Sequence, residues 1–517
     1  KGTMRRLPTT SIYDRPLQVA LACVALLGAC KVTSDDIEYW KGTVKGPGKI
    51  VAVILTDKYP IELRTRAALA LIEMEPRDDV NGIAELQSAL GRLPEDEQRS
   101  IIEGMVPSIE AQMRSGEEND SDDPLLTGPP PQQVRAKDAA YLLISRSVGE
   151  TKQRLTDAVV GWYAVDFNGR NLAGDFSAEQ VILSLGSRAA AKLVDAIHAQ
   201  MPSAAMVKIA ELIGQLGDRE TKKRAAARLV AVEGEMNGEA YLEWLKNEIR
   251  SSLREANREI NESSVTRIAT LNRGNFIKLG TLAAMKYLGN EEAVASRLIA
   301  LSGHKELPED HRRAAIQAME GNATAAHLNA YLNVALDAEN PIGVRDDAFD
   351  RISDIRSTEA IPRLWPLAES TKNDLLEKRL RWRAAELILS VGGIGIIREL
   401  FRRLPSSKDV QYEPEELEGY ATRMSQMTPP PTPRVIAMLN SRLWWQRIIA
   451  IRYLERKGTA QDVAKLQRLT RQGEPTVGEG WNDIKTVGKA AEASLESLRE
   501  RLAQPEPRSS EAGRASQ

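Results

Sequence analysis

Cysteine is almost absent: the 517 residues hold two, Cys23 and Cys30. Two cysteines exclude a disulfide-built scaffold and any multi-cysteine metal site. Histidine is nearly as scarce, with only His198, His304, His311 and His327. No His-x-x-x-His or Glu-x-x-His pair occurs, so the common metal-ligand spacings are missing. His304 and His311, beside Glu309 and Asp310, therefore read as isolated surface histidines and no metal is expected. Aromatics make up 5% of the chain, no stretch sustains a two-residue apolar alternation, and hairpin dipeptides between apolar runs are lacking. That excludes a β-sandwich or barrel. The formal net charge is −2, which leaves no basic excess for nucleic acid. Catalytic motifs are also missing. Gly42 to Lys49 imitates a phosphate loop, but Thr43 stands where its first Gly belongs and Ile50 replaces the hydroxyl residue. Gly392-Gly393-Ile394-Gly395 follows a helical segment rather than a strand, so it lacks the dinucleotide context. No Gly-x-Ser-x-Gly elbow is present. The expectation is a protein that is not an enzyme and carries no cofactor.

What is present begins with a short apolar run. Arg5, Arg6 and Arg15 lead into Leu17 to Leu27, eleven residues that are too few to span a bilayer and the right size for a signal-peptide core. The run ends in Leu27-Gly28-Ala29-Cys30. This tetrapeptide resembles the lipobox of bacterial lipoproteins. The resemblance implies cleavage before Cys30, a diacylglycerol on its thiol and, usually, acylation of the new amino terminus with a chain such as palmitate. Residues 1–29 would then be a signal peptide and residues 30–47 a lipidated Cys with a flexible tether. Removing four basic and one acidic residue leaves 66 against 71, a mildly acidic exported chain. Lys31 stands where Asp would signal inner-membrane retention in such lipoproteins. The expected location is the outer membrane, at its periplasmic face.

The remaining segments read as helices of 10 to 18 residues, with apolar positions three and four apart and Gly, Pro, Asn or Asp between them. Pro60, Arg64 and Ala67 share their spacing with Pro308, Arg312, Ala315 and with Pro341, Arg345, Ala348; the second half recurs at Arg381/Ala384 and Arg447/Ala450. Asp57, Asp374 and Asn440 each lie seven residues before their Arg. Leu185-Gly186-Ser187-Arg188 is echoed by Leu216-Gly217-Asp218-Arg219 and, in part, by Leu288-Gly289-Asn290. In a two-helix repeat, Pro suits the first turn, Ala permits close approach, and the Asp caps the helix. The Arg can then reach an Asp or carbonyl of the next repeat, making a structural ladder. The pattern resembles the HEAT family, and implies an all-α, extended and curved α-solenoid of HEAT/armadillo-like helical hairpins. The expected organisation is N-terminal repeats at 48–114, an acidic Pro-rich disordered loop at 115–133, the main solenoid at 134–502 and a polar tail at 503–517. Residues 239–262 carry a narrow apolar seam (Leu242, Leu245, Ile249, Leu253, Ala256, Ile260), read as one long helix docked on the array.

Solenoids present extended binding surfaces, so the expected function is a protein–protein interaction scaffold of the envelope, serving a secretion, motility or outer-membrane assembly. Its partners would be another envelope protein or complex and, through Cys30, the membrane. In HEAT-like arrays the second helix of each pair lines the concave side. Here those helices would fall at 61–73, 204–214, 309–319, 343–352, 378–389 and 445–456. Lys208, Gln317, Asp350, Glu386 and Arg452 are their candidate partner-facing residues. Two alternatives stand beside this reading. One is a glycan or peptidoglycan binder using Trp365, Trp382, Trp444, Trp445 and Trp481, although these fit core packing better. The other is an enzyme resembling the HEAT-like bilin lyases.

Overall fold

The computed structural model describes residues 32–77, 80–114, 128–406, 408–476 and 484–503. Among them the regular elements are helical; two isolated bridges, Arg77 to Val80 and Pro475 to Thr486, form no strand. No helix of the described residues is long and apolar enough to cross a membrane. The chain divides into two units, Lys1–Ala225 and Ala226–Gln517, with the division inside helix Arg219–Asn237.

In the first unit, Gly46–Leu55 packs with Ile61–Glu73 and Pro131–Ile144 with Gly149–Val165, and Gly82–Leu90 and Glu95–Arg114 follow one another between them. First helices pack on first helices and second helices on second helices, the two-layer stacking of a solenoid. Shorter pieces follow, then Ser203–Leu216. The second unit repeats the plan. Its second helices Glu309–Gln317, Ile342–Ile355, 375–392, Pro414–Ser425, Trp444–Lys457 and Val487–Ala503 stack in one continuous row. Each unit is an all-α, HEAT-like solenoid.

The repeated residues explain the repeated geometry. Pro60, Pro308 and Pro341 sit at the helix N-cap with ψ of 151°, 146° and 146°. That is one residue earlier than the first turn the sequence suggested. The extended backbone of a cap suits the proline ring, and only its carbonyl is needed there. Those carbonyls accept the amide N–H groups of Arg64, Arg312 and Arg345 at 3.2, 3.2 and 3.1 Å. The Pro-x-x-x-Arg spacing is therefore the first hydrogen-bonded turn. Ala67, Ala315, Ala348, Ala384 and Ala450 are fully buried where the hairpins close. Of the three proposed caps only Asp374 acts as one, accepting the Glu377 amide at 3.0 Å. The caps at Pro60 and Leu443 make no side-chain bond, because the cap positions fall three residues after Asp57 and Asn440.

Other expectations change. Residues 30–47 are not a flexible tether from Ser34 onward. Helix Ser34–Lys41 buries Ile37 completely and is tied to the first hairpin by Lys41 to Glu73 at 2.7 Å. The seam of 239–262 is not one helix: Glu239–Glu255 ends before Asn257, whose φ of +51° turns the chain into Glu262–Phe276. The Leu-Gly echo is not geometric either, since Gly186 has φ of +68° and Gly217 −65°. Gly393, with φ of +58° and ψ of −147°, is the corner between a second helix and the next first helix. The acidic stretch 115–127 and the tail from 504 lie outside the described residues, and helix starts at Pro131 rather than 134.

Candidate functional site

The arginine series is buried. Arg64, Arg312, Arg345, Arg381 and Arg447 are at most 9% exposed. Arg64, Arg312 and Arg345 donate from Nε to the carbonyls of Ile54, Ser302 and Ala335 at 2.8, 3.0 and 2.8 Å. Each of these carbonyls is ten residues back, at the end of the first helix of the same hairpin. The free end of the guanidinium then reaches forward. Arg64 pairs with Glu97, Arg312 donates to Asn340 Oδ1 at 2.8 Å, Arg381 to the Gln411 carbonyl at 3.1 Å, and Arg447 pairs with Glu474. A planar guanidinium with several donors can satisfy orphan helix-end carbonyls on two sides at once. Burial holds Arg312, Arg345 and Arg447 below the usual arginine range. With no face open to a ligand, these residues join repeats.

Outside that buried seam runs a second series, half-buried to exposed, on the row of second helices. Lys278 meets Asp310 at 2.7 Å and Arg313 meets Asp347 at 2.8 Å, with Gln317 adding a bond to Asp347 at 3.1 Å. Arg379 pairs with Asp346 and Arg383 with Asp350. Arg423 meets Glu386 at 3.0 Å, and Arg452 and Arg456 both reach Glu418. Every one of these pairs ties one second helix to the next. The side-chain hydrogen bond it donates to Asp347 lifts Arg313, and the bond from Lys278 lowers Asp310. Burial raises Asp346 despite Arg379 and Arg383 facing it. Of the candidate partner-facing residues, Gln317, Asp350, Glu386 and Arg452 fall in this series. Lys208 lies in the other unit, held by Glu179 at 2.9 Å and Glu211 at 3.1 Å. None dangles free in solvent. The exposed ones among them, such as Arg383 with Asp350, contribute only ~0–1 kcal/mol each, so they can exchange partners cheaply.

Sequence reasoning missed one polar cluster. Lys137 is completely buried, its ammonium 2.5 Å from Asp138 Oδ1, 2.9 Å from Tyr163 OH and 2.8 Å from the Ala173 carbonyl. Asp138 Oδ2 accepts the Asp175 amide at 3.0 Å, and Tyr163 OH donates to the Phe176 carbonyl at 2.6 Å. Burial pushes the ammonium down and the carboxyl up, while their mutual attraction opposes both. A lysine with a lowered pKa invites a catalytic reading, but every donor is spent on the chain and no surface is open. The cluster staples the 171–177 loop to two helices. Its sequence signal is a Lys-Asp doublet between Ala136, Ala139 and Ala140, which put both charges beside an apolar face.

Other sites fall into place as packing. Trp445 is fully buried and stacked on Tyr412, with ring centroids 4.6 Å apart; Trp365 and Trp444 are 7% and 5% exposed. Arg403 covers the Trp365 ring. Trp382 lies against Gly419, where an added Cβ would come within 3.1 Å of the indole. The buried rings of Trp365, Trp444 and Trp445 have no face to stack on a sugar, Trp382 is half-buried, and Trp481 is outside the described residues. His311 Nε2 sits 2.9 Å from the Gly274 carbonyl and His327 Nδ1 accepts the Thr324 amide at 3.1 Å. Among the described residues no group of three or more His, Cys, Asp or Glu side chains is arranged to hold a metal. Cys30 and its preceding run lie outside the described residues.

No family model matches the chain, and no curated protein matches it. Solved structures do. Kap121p bound to Pho4p is 11% identical, with 94% of this chain and 51% of that chain covered and a TM-score of 0.33. Kap121p alone is 13% identical, with 94% and 48% covered and a TM-score of 0.35. Importin beta in an ammonium sulfate condition is 12% identical, with 95% and 71% covered and a TM-score of 0.26. The chain spans about half the length of the Kap121p chains it matches. These likenesses concern fold alone, and the HEAT-like architecture stands on the stacked hairpins themselves.

Proposed function

We propose that this chain is a bacterial envelope lipoprotein, anchored by lipid on Cys30, that works as a protein–protein interaction scaffold rather than as an enzyme. The observation that carries the scaffold reading is the continuous row of second helices from Glu309 to Ala503, with its line of half-buried to exposed charge pairs. Solenoid surfaces bind by summing modest contacts over several repeats. Leu27-Gly28-Ala29-Cys30 supports the anchor, and Lys31 supports the periplasmic face of the outer membrane. The partner is another envelope protein or complex, in a secretion, motility or outer-membrane assembly.

Pull-down from detergent-solubilised membranes tests both halves. Wild type should fractionate with membranes and Cys30→Ser should not; equal soluble fractions for the two overturn the anchor. Asp350→Lys, Glu386→Lys and Arg452→Glu, combined stepwise, should weaken capture of the partner progressively, because the contact energy is spread over repeats. Capture indifferent to the triple variant overturns the surface.

A further inference from the structure

One groove gathers several arginines and no carboxylate. It lies on the layer of first helices in the second unit, between 394–403 and Thr432–Met438, and encloses about 900 Å³. Arg398, Arg402 and Arg434 line it and no acidic residue does. All three are exposed, and none forms an ion pair with a described residue. Arg434 donates to the Ile394 carbonyl, which holds it across the mouth of the groove. The floor is apolar: Ile397, Phe401 and Met438 are 2%, 4% and 9% exposed. By contrast, Arg379, Arg383 and Arg423 of this unit each have a carboxylate partner on the neighbouring helix.

We propose that this groove docks an extended acidic segment of a protein partner, with carboxylates at alternate positions and apolar side chains between them. Arg398 and Arg402 are one helical turn apart, about 6 Å along the axis. Carboxylates two residues apart on an extended chain repeat at about 6.8 Å, so successive acidic side chains meet successive arginines. The intervening side chains point the other way, toward Ala437 and Met438. Arg434 faces them from the opposite wall, and the exposed amide of Asn440 at the rim can bond the peptide backbone. Guanidinium groups grip carboxylates bidentately, which gives such a groove its preference for an acidic peptide over a merely apolar one. This inference rests on the scaffold reading and names the partner chemistry of a second surface, on the layer opposite the charge ladder.

The test uses the full chain and a fluorescein-labelled peptide alternating Asp with Leu, read by anisotropy. Its controls are the matching Asn–Leu peptide and a single-stranded oligonucleotide. Wild type should bind the Asp–Leu peptide, with affinity falling as salt rises. Arg398→Glu combined with Arg402→Glu should weaken binding by about tenfold or more while leaving the helical signal unchanged, since both side chains are exposed and unpaired. Equal binding by the double variant, or equal binding of the Asn–Leu peptide, overturns the proposal. So does an oligonucleotide that binds as well as the Asp–Leu peptide, which would make the groove a general anion site. If the peptide fails while the wild-type chain still captures its envelope partner, the groove proposal falls and the scaffold reading stands.

Discussion

Glu416→Gln should convert a pH-dependent weakness into a constant. Glu416 lies on helix Pro414–Ser425, 3% exposed, among Tyr420, Arg381 and the stacked Tyr412 and Trp445 rings. Tyr420 OH donates to its Oε1 at 3.0 Å, and Arg381 is 3.8 Å from its Oε2. Burial is the largest influence and pushes its pKa up to about 7 from an ordinary 4.5, against the pull of Arg381, the Tyr420 bond and Lys378, and with a small push from Glu413. A folded-state pKa above the unfolded one means the native protein binds the proton more tightly. The associated stability is fully present below about pH 4.5 and is lost as pH rises through about 7. At about 1.36 kcal/mol per pH unit, the span corresponds to about 3 kcal/mol, a large share of the ~5–15 kcal/mol that stabilises a typical domain. Gln keeps an acceptor for Tyr420 and cannot ionise. Urea unfolding of the full chain, followed by tryptophan fluorescence at several pH values, reads the difference; Trp444 and Trp445 report from the helix beside this cluster. The variant should match wild type near pH 4.5 and exceed it by about 2–3 kcal/mol at pH 8, with the denaturant slope unchanged. Parallel profiles for the two proteins, or a wild type that gains on the variant as pH rises, would refute the reasoning.

Two further outcomes follow from the buried polar groups. Arg312→Met should strand the Ser302 carbonyl and Asn340 Oδ1 and lower stability by about 2–4 kcal/mol, whereas Arg383→Met, which loses only the exposed pair with Asp350, should lose less than about 1 kcal/mol; equal losses in urea unfolding would contradict the buried ladder. Under native reductive methylation mapped by mass spectrometry, Lys137 should react roughly 100-fold more slowly than the exposed Lys305, because its amine is reached only by local opening; comparable labelling would sink the staple.

The helices, their succession in hairpins and the recurrent arginine at the start of the second helix were legible in the order of residues alone. These are local matters. Pro at the cap, Arg four residues on and Ala three further all lie within two helical turns, so one hydrogen-bonded turn fixes where the guanidinium leaves the helix. The extent of ordered chain before Gly46 was not legible, because Ser34–Lys41 is short and polar and is held by Lys41 and Ile37 against a helix that begins some twenty residues later. The break at Asn257 was hidden too, since an apolar seam continues in register through a turn whose only mark is one Asn. Tertiary structure alone decided which charges are spent. Arg383 and Arg398 sit in similar helical sequences, yet one has Asp350 opposite it and the other has no carboxylate. Lys137 is sealed by the loop packed over it, whereas Lys208 stays within reach of solvent. Those outcomes depend on side chains about 30 residues away, brought opposite by the stacking of one hairpin on the next. That distance lies beyond anything the local spacing of a single helix encodes.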